Sequence, residues 1–595
     1  MSLNDNDTLH VCPFWFAVVT VATGEASVLG TLISMAASDA ETPLLDDTVE
    51  GVVDCKGQPV LRTKSGGWRS AAFIIGVEVA ERFAYYGISS NLINFLTGPL
   101  GQSTATAAEN VNAWSGTASL LPLLGAIVAD SFLGRFRTIV VATLLYILGL
   151  GLLTLSAMLP SLYHQTNKTI DASSSPSQFQ KVLFFFSLYL VGVAQGGHKP
   201  CVQAFGADQF DGKNPEESKA KSSFFNWWYF GLCAGSSATY LSVTFIQENL
   251  SWALGFGVPC IAMVVALIVF LLGTTTYRYT NITQDEESPF VRIGRVFVRA
   301  IRNWRTAYSD IGAEGEFRGL LTHQQFKFLN KALFVPGGLK EDGKVYCSIA
   351  EVEEAKAVLR LVPIWLTCLP YAIVFAQCAT FFTKQGATMK RTIVPGFDIP
   401  AASLQSFITI SIVLFIPVYD RVLVPIARVF TRKPSGITML QRMGTGIALA
   451  VLCMVVAAVI EMKRLRIAQE YDLVDKPSVT LPMSVWWLTP QYVLFGIADV
   501  FTVVGLQEFF YDQVPNELRS IGLALYLSVL GVGNFLSSFL ISVIDQVTGG
   551  SGQDSWFSTN LNRAHVDYFY YLLAVLNAVG FAAYVYFARS YIYKL

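Results

Sequence analysis

Charge is scarce in this chain. Only 14% of its 595 residues are Asp, Glu, Lys or Arg, where an average soluble protein carries about 25%. The net charge of −1 leaves no basic surplus for a nucleic acid to neutralise, which argues against a nucleic-acid partner. Nine cysteines are scattered without a CxxC pair, so neither a zinc site nor a disulfide framework is indicated. Five histidines are equally dispersed, with no HExxH, and no GxxxxGK[ST] loop occurs. ATP-driven pumping by this chain is therefore unsupported, and no metal or cofactor is expected. No nucleophile–base pair stands inside the apolar runs, so the chain is not expected to be an enzyme.

What the chain has in abundance is long apolar runs: 53% of its residues are hydrophobic and its mean hydropathy is +0.47. A membrane-crossing helix needs about 20 mostly apolar residues. Such runs lie near 70–96, 112–130, 138–159, 181–203, 223–245 and 252–273, then near 359–382, 402–424, 438–461, 484–508, 521–544 and 567–588. Six spans, a loop of about 80 residues and six more predict an all-α membrane protein with twelve transmembrane helices in two six-helix halves. A substrate site is then expected between the halves at mid-membrane. The divisions are a tail over 1–66, a first bundle over 67–274, a linker over 275–357 and a second bundle over 358–595. No repeat between the halves is evident in the sequence. Val11 to Ala37 is apolar but interrupted by Glu25; it reads as a signal-like segment, a re-entrant piece or an extra helix. Glu41-Thr42-Pro43-Leu44-Leu45 falls one residue short of an acidic dileucine signal, and an ordinary tail is the better reading.

The linker carries Arg292, Arg295, Arg299, Arg302 and Arg305 at spacings of three and four, with Ile293, Phe297, Ile301 and Trp304 at the same period. This pattern predicts a basic amphipathic helix, lying on the inner leaflet or solvated as a linker. A cytoplasmic linker and an even span count put both termini inside. Arg135 and Arg137 before the third span agree with positive-inside counting, whereas Lys463, Arg464 and Arg466 after the ninth do not. The sequons at Asn167 and Asn249 would then face outward.

Three charges sit where a membrane helix should carry none. Glu78, Glu81, Arg82 and Tyr85 share one helical stripe inside the first apolar run. A charge at mid-membrane costs roughly 2.5–3.5 kcal/mol, so such groups face a bundle interior or an aqueous cavity and pair with one another. The fourth run adds Lys199 within Gly196-Gly197-His198-Lys199-Pro200-Cys201, where the glycines and proline suggest a locally opened helix. His198 reads as a packed neighbour. The tenth run adds Asp499, a lone carboxylate that needs a partner or a proton. Between the second and third runs, Asp130 is followed by Gly134, Arg135 and Arg137, a tight basic turn in which Asp130 can cap or pair with the arginines.

That turn resembles the gating loop of the major facilitator superfamily. Glu78-x-x-Glu81-Arg82-Phe83-x-Tyr85-Tyr86, Lys199-Pro200-Cys201 and Phe205-Gly206-Ala207-Asp208-Gln209-Phe210-Asp211 together resemble the proton-dependent oligopeptide transporter family, and more closely its plant nitrate and peptide branch. Phe224-Phe225-Asn226-Trp227-Trp228-Tyr229-Phe230, the long linker and Trp556-Phe557-Ser558-Thr559-Asn560-Leu561-Asn562 fit that branch too. The resemblance, over about 68–595, implies a major-facilitator fold and proton-coupled solute uptake. It implies proton coupling by Glu78, Glu81 and Arg82 with Lys199 as partner, and a substrate pocket including Tyr85, Cys233, Phe375 and Asp499. Peptide-carrying members place Asn where this chain has Cys233, which weakens the case for peptides. Some nitrate-carrying members place His where it has Phe375, which removes one mode of nitrate binding. The expected partners are protons, a small solute (nitrate, a peptide or a metabolite) and the lipid bilayer. A transporter-like sensor and both the plasma and vacuolar membranes stay open at this point.

Overall fold

Each long apolar run becomes a helix, because the bilayer offers the backbone no water and a helix satisfies its own polar groups. The computed structural model describes residues 48–166, 177–211, 214–280, 289–304, 326–333, 347–394, 396–431, 437–514, 519–549 and 554–591. The apolar segment 11–37, the dileucine-like stretch 41–45 and the sequon at 167–169 lie outside these residues.

Twelve long helices appear among the described residues: α1 Gly67–Ser89, α2 Thr104–Val128, α3 Arg135–Thr166, α4 Gln178–Ala207, α5 Pro215–Asn249 and α6 Trp252–Leu272, then α7 Ile349–Phe375, α8 Ala401–Thr431, α9 Met439–Glu470, α10 Thr489–Asp512, α11 Arg519–Thr548 and α12 Val566–Ser590. Ten are long and apolar enough to cross a membrane, and the other two are α1 and α5. Glu78, Glu81 and Arg82 put α1 outside that composition. Local signals set the ends. Ser348 and Glu351 form a capping box on α7, as Thr438 and Gln441 do on α9. Asn214 caps α5, with Pro215 in its first turn.

The repeat that the sequence hides is plain in the packing. Within the first half α1 packs on α5 and α6, α4 on α2 and α3, and α3 on α6. Within the second, α7 packs on α11 and α12, α10 on α8 and α9, and α9 on α12, each pair the first half's advanced by six helices. The halves meet through α2 with α11 and α5 with α8, which the same shift exchanges. A π turn follows α2 at Ala129–Leu133, and another interrupts α8 at Tyr419–Leu423, the matching place in the second half.

Polar contacts fasten the halves at the end where α1, α5, α7 and α11 finish. Arg391 pairs with Glu248 at 2.6 Å. Thr244 and Ser403 hydroxyls are 2.9 Å apart, Gln405 donates to the Ser90 carbonyl at 2.9 Å, and Lys384 donates to Thr97 at 2.7 Å. Ser537 accepts hydrogen bonds from both Asn112 and Gln377 at 3.0 Å.

At the opposite end of the first half, β1 Thr48–Val53 pairs with β2 Pro59–Leu61 and with β3 Tyr279–Thr280, just beyond α6. So the end of the region read as a tail is structured. Arg62 bridges to Asp211 at 2.8 Å, and the buried Arg278 bridges to Glu217 at 2.6 Å. Gln209 donates to the Arg278 carbonyl and accepts from its amide. The Phe205–Asp211 motif is thereby a clasp joining α4, α5, α6 and the hairpin.

Two sequence expectations change. In the helix Pro289–Arg302, Arg292 and Arg295 approach Glu354 and Glu351 of α7, at 3.6 and 3.7 Å. This basic edge therefore meets protein carboxylates. Ile293, Val296 and Ala300 are buried, while Val291, Val298, Ile301 and Trp304 are exposed. Lys463, Arg464 and Arg466 are not in a loop, because α9 continues to Glu470. Arg464 is fully buried, paired with Glu461 and hydrogen-bonded to Asn562 and the Leu561 carbonyl. Lys463 sits 3.2 Å above the Trp487 ring centre. Two of the three dissenting charges thus have structural partners.

Candidate functional site

The stripe expected on the first span forms as read. Glu78, Glu81 and Arg82 are all at most 4% exposed. Arg82 Nε lies 3.1 Å from Glu78 Oε1, one helical turn away, and Arg82 Nη2 pairs with Glu81 Oε2. One guanidinium thus serves two carboxylates, the arrangement that keeps a buried charge tolerable. The cluster is possible because α5 comes close. A Cβ on Gly235 would stand 2.7 Å from the Val79 carbonyl oxygen, so only glycine fits there. Thr239 of α5 donates to the Phe83 carbonyl at 3.0 Å, one turn further along.

Tyr85, next along the stripe, has the Arg82 guanidinium 5.6 Å from its ring centre and stacks on Trp114 of α2 at 5.4 Å. Trp114 is itself fixed by a 2.9 Å hydrogen bond to the Leu188 carbonyl of α4.

Lys199 of α4 lies near enough to Glu78, Glu81 and Arg82 to interact through space, without an ion pair to either carboxylate. The α4 turn that carries it is pressed on α2. A Cβ on Gly196 would lie 2.7 Å from Leu121 Cβ, and one on Gly125 would lie 2.1 Å from the Gly196 oxygen. The glycines before Lys199 therefore serve helix contact, and α4 stays helical through Pro200 to Ala207. The locally opened helix expected there does not form.

Asp499 is 7% exposed and accepts a hydrogen bond from the Tyr371 hydroxyl of α7. It does not touch the Glu78–Arg82 cluster. It interacts electrostatically with Tyr86 and Tyr229 of the first half and with Tyr526 of α11. Tyr86 also feels Arg82 and Cys233. Tyr86 of the first half thus lies near enough to interact with Arg82 and Glu81 on its own helix and with Asp499 across the gap between the halves. Cys233 is buried beside Tyr229. Phe375 is half-buried and packs 5.9 Å from Phe495 of α10.

In the turn after α2, Gly134 has φ 79°, which favours glycine. Arg135 pairs with Asp208, in the Phe205–Asp211 motif, which the sequence offered no reason to choose over Asp130. Arg137 is exposed. The Asp130 side chain lies outside the described residues.

Sequence reading missed the tyrosines. Tyr371 and Tyr526 stand alone in apolar runs, Tyr229 sits within the aromatic Phe224–Phe230 motif, and no spacing rule gives any of them a place in the site before the halves are placed together. His198, read as a packed neighbour, is fully buried, and one of its ring nitrogens lies near the two carboxylates. One ligand atom each of Glu78, Glu81 and His198 lie within 4.8 Å of one another. Arg82 already pairs with both carboxylates, so a divalent cation there would have to displace a buried guanidinium. This arrangement suits protons and anions.

Residues 136–557 match a family described as the POT family. The chain is 67% identical over 565 residues to Protein NRT1/PTR FAMILY 5.10 of Arabidopsis thaliana, covering 94% of this chain and 99% of that one. It is 59% identical over 560 residues to Protein NRT1/PTR FAMILY 5.13 of the same plant, covering 93% and 98%. Among solved structures, an auto-inhibited POT family peptide transporter matches with a TM-score of 0.67 and 22% identity, over 88% of this chain and 98% of that one. A second POT family transporter matches with a TM-score of 0.65, also at 22% identity, over the same shares. At that identity the likeness speaks for the fold alone.

Proposed function

The chain belongs to the POT family of proton-coupled membrane transporters, and from that premise we propose that it carries nitrate, or another small monovalent anion, together with protons. In this reading the pathway lies between the halves and opens to each side in turn. Glu78 and Glu81 exchange protons with the aqueous pathway, while Arg82 and Lys199 are their alternating counter-charges. Tyr85, Cys233, Phe375 and Asp499 line the substrate space. The turn from Asp130 through Gly134 and Arg135 to Arg137 gates the cytoplasmic end. The end fastened by Arg391 and Glu248 then faces outward, and this state is the inward-facing one.

The observation that carries the reading is the pairing of Arg82 with both Glu78 and Glu81 beside an uncommitted Lys199. Burial raises the cost of a carboxylate, and a neighbouring cation lowers it. If the cations change partners, a carboxylate loads a proton in one state and releases it in the other. An anion is a natural trigger, because it competes with the carboxylates for Arg82 and Lys199. Cys233 favours a small anion over a peptide: a thiol is a weak donor and acceptor, and unmet peptide amides cost about 1–3 kcal/mol each.

Reconstituted vesicles with labelled nitrate outside test this. Acidic medium outside should drive nitrate above its equilibrium level, and collapsing the pH gradient should abolish the excess. Dipeptide accumulation without any nitrate accumulation would overturn the substrate assignment.

A further inference from the structure

His198 occupies a place that packing alone does not explain. It lies on α4 one residue before Lys199 and is 0% exposed, and neither ring nitrogen has a hydrogen-bond partner. A neutral imidazole has one donor and one acceptor to satisfy, and a buried polar group left unmet is costly. The groups around it are those of the coupling site. From α1 come Glu78, Glu81 and Arg82, each carboxylate offering an oxygen within 4.8 Å of a ring nitrogen. From α3 comes Tyr146, whose ring meets the imidazole edge-on with centroids 6.5 Å apart. From α4 itself come Gln195 and Lys199. The neighbouring face of α2 offers Leu121 and Gly125, which carry no charge. The Tyr146 hydroxyl and Gln195 Oε1 also lack partners.

We infer that His198 is a further proton-binding residue of the coupling site, taking up a proton when Arg82 or Lys199 leaves Glu78 and Glu81. In the present state two carboxylates and two cations balance, and a neutral ring fits. When a cation is drawn to an incoming anion, the cluster is left negative, and carboxylates a few ångströms from an imidazole stabilise its charged form. The proton comes from the water of the open pathway onto the ring nitrogen that lacks one, and it returns to water when the ion pairs re-form. Anion binding and proton binding are then linked reciprocally through adjacent groups. This inference rests on the proton-coupled reading above and adds a residue to it.

The test observes the ring itself. Protein labelled with ¹⁵N in its histidine rings is reconstituted in liposomes without added nitrate, and the His198 signals are assigned by their loss in His198→Gln. At neutral pH the wild type should show a neutral ring. Arg82→Gln, which leaves both carboxylates without their guanidinium, should shift His198 to imidazolium positions. Lys199→Gln should shift it the same way and serves if Arg82→Gln does not fold. A ring that stays neutral in every folded variant between about pH 8 and about pH 5 overturns the inference. A shift in the variants, with no pH-driven uptake by the wild type, would instead reject the transport reading and leave His198 a proton site.

Discussion

Gly235 of α5 stands directly against Arg82 of α1: a Cβ on Gly235 would lie 3.1 Å from the Cβ of Arg82. The helix contact and the buried ion pairs are therefore one construction. Gly235→Ala should push α5 from α1, at a cost of about 1–3 kcal/mol for overpacking, and turn Arg82 away from Glu78 and Glu81. The expected outcome is folded protein with a lowered melting temperature and severely reduced pH-driven uptake. Wild-type uptake by this variant would show that the close approach does not matter to coupling.

Removing the uncommitted cation should separate two kinds of flux. In Lys199→Ala, Glu78 and Glu81 keep Arg82 but have no alternative partner. Uptake driven by a pH gradient should fall well below counterflow of labelled nitrate measured without a gradient. Glu81→Gln should likewise abolish gradient-driven accumulation while the protein still reaches the membrane. Equal loss of both fluxes in Lys199→Ala would point to misfolding.

Glu81 and Asp499 both lie near enough to Tyr86 to interact with it, and on the proposed reading Asp499 faces the same space as Glu81 and enters the charge count of the site. Three carboxylates against two cations leave one net negative charge, which repels an anion. Two protons bring the site to one net positive charge, which a monovalent anion neutralises. The moving load of two protons and one anion carries +1, and a membrane potential assists it by about 2.3 kcal/mol per 100 mV. Nitrate should therefore evoke an inward current at acidic external pH that grows with hyperpolarisation. Voltage-clamped cells showing nitrate uptake without current would rule out this stoichiometry.

The hairpin clasp should fail in acid. Glu217 stands in the first turn of α5, before the apolar span. Burial works against its charge, but the hydrogen bonds from Arg278 and the Asp211 amide, with the charges of Arg278 and Arg62, outweigh it and hold the carboxyl below its ordinary value. A carboxyl depressed in the folded state stabilises above its unfolded pKa, and that contribution is lost as pH falls through the folded one. Amides of Thr48–Leu61 should stay protected at neutral pH and lose protection below about pH 4. Glu217→Gln should weaken them at neutral pH by roughly 2 kcal/mol, the worth of a charged hydrogen bond. Hydrogen exchange that follows the same pH course in the variant and the wild type would refute the clasp's dependence on Glu217.

The sequence by itself determined the number of spans, their grouping around a long linker, and the residues of the charged stripe. These follow from local rules: a bilayer demands about 20 apolar residues per helix, and a helix places residues three and four apart on one face. Asp499 and Lys199 were legible for the same reason, since a charge in an apolar run announces itself. Only the tertiary structure decided which charges meet. Arg464 read as a loop charge until α9 continued past it and buried it on Glu461. Arg135 had Asp130 nearby in sequence, yet it reaches Asp208, which the folding of α4 beside α3 brings to it. Tyr229, Tyr371, Tyr526 and His198 gained their places only when helices far apart in the chain packed together. Pairing and burial depend on which neighbours a side chain keeps in space, and a one-dimensional pattern records only the neighbours it keeps along its own helix.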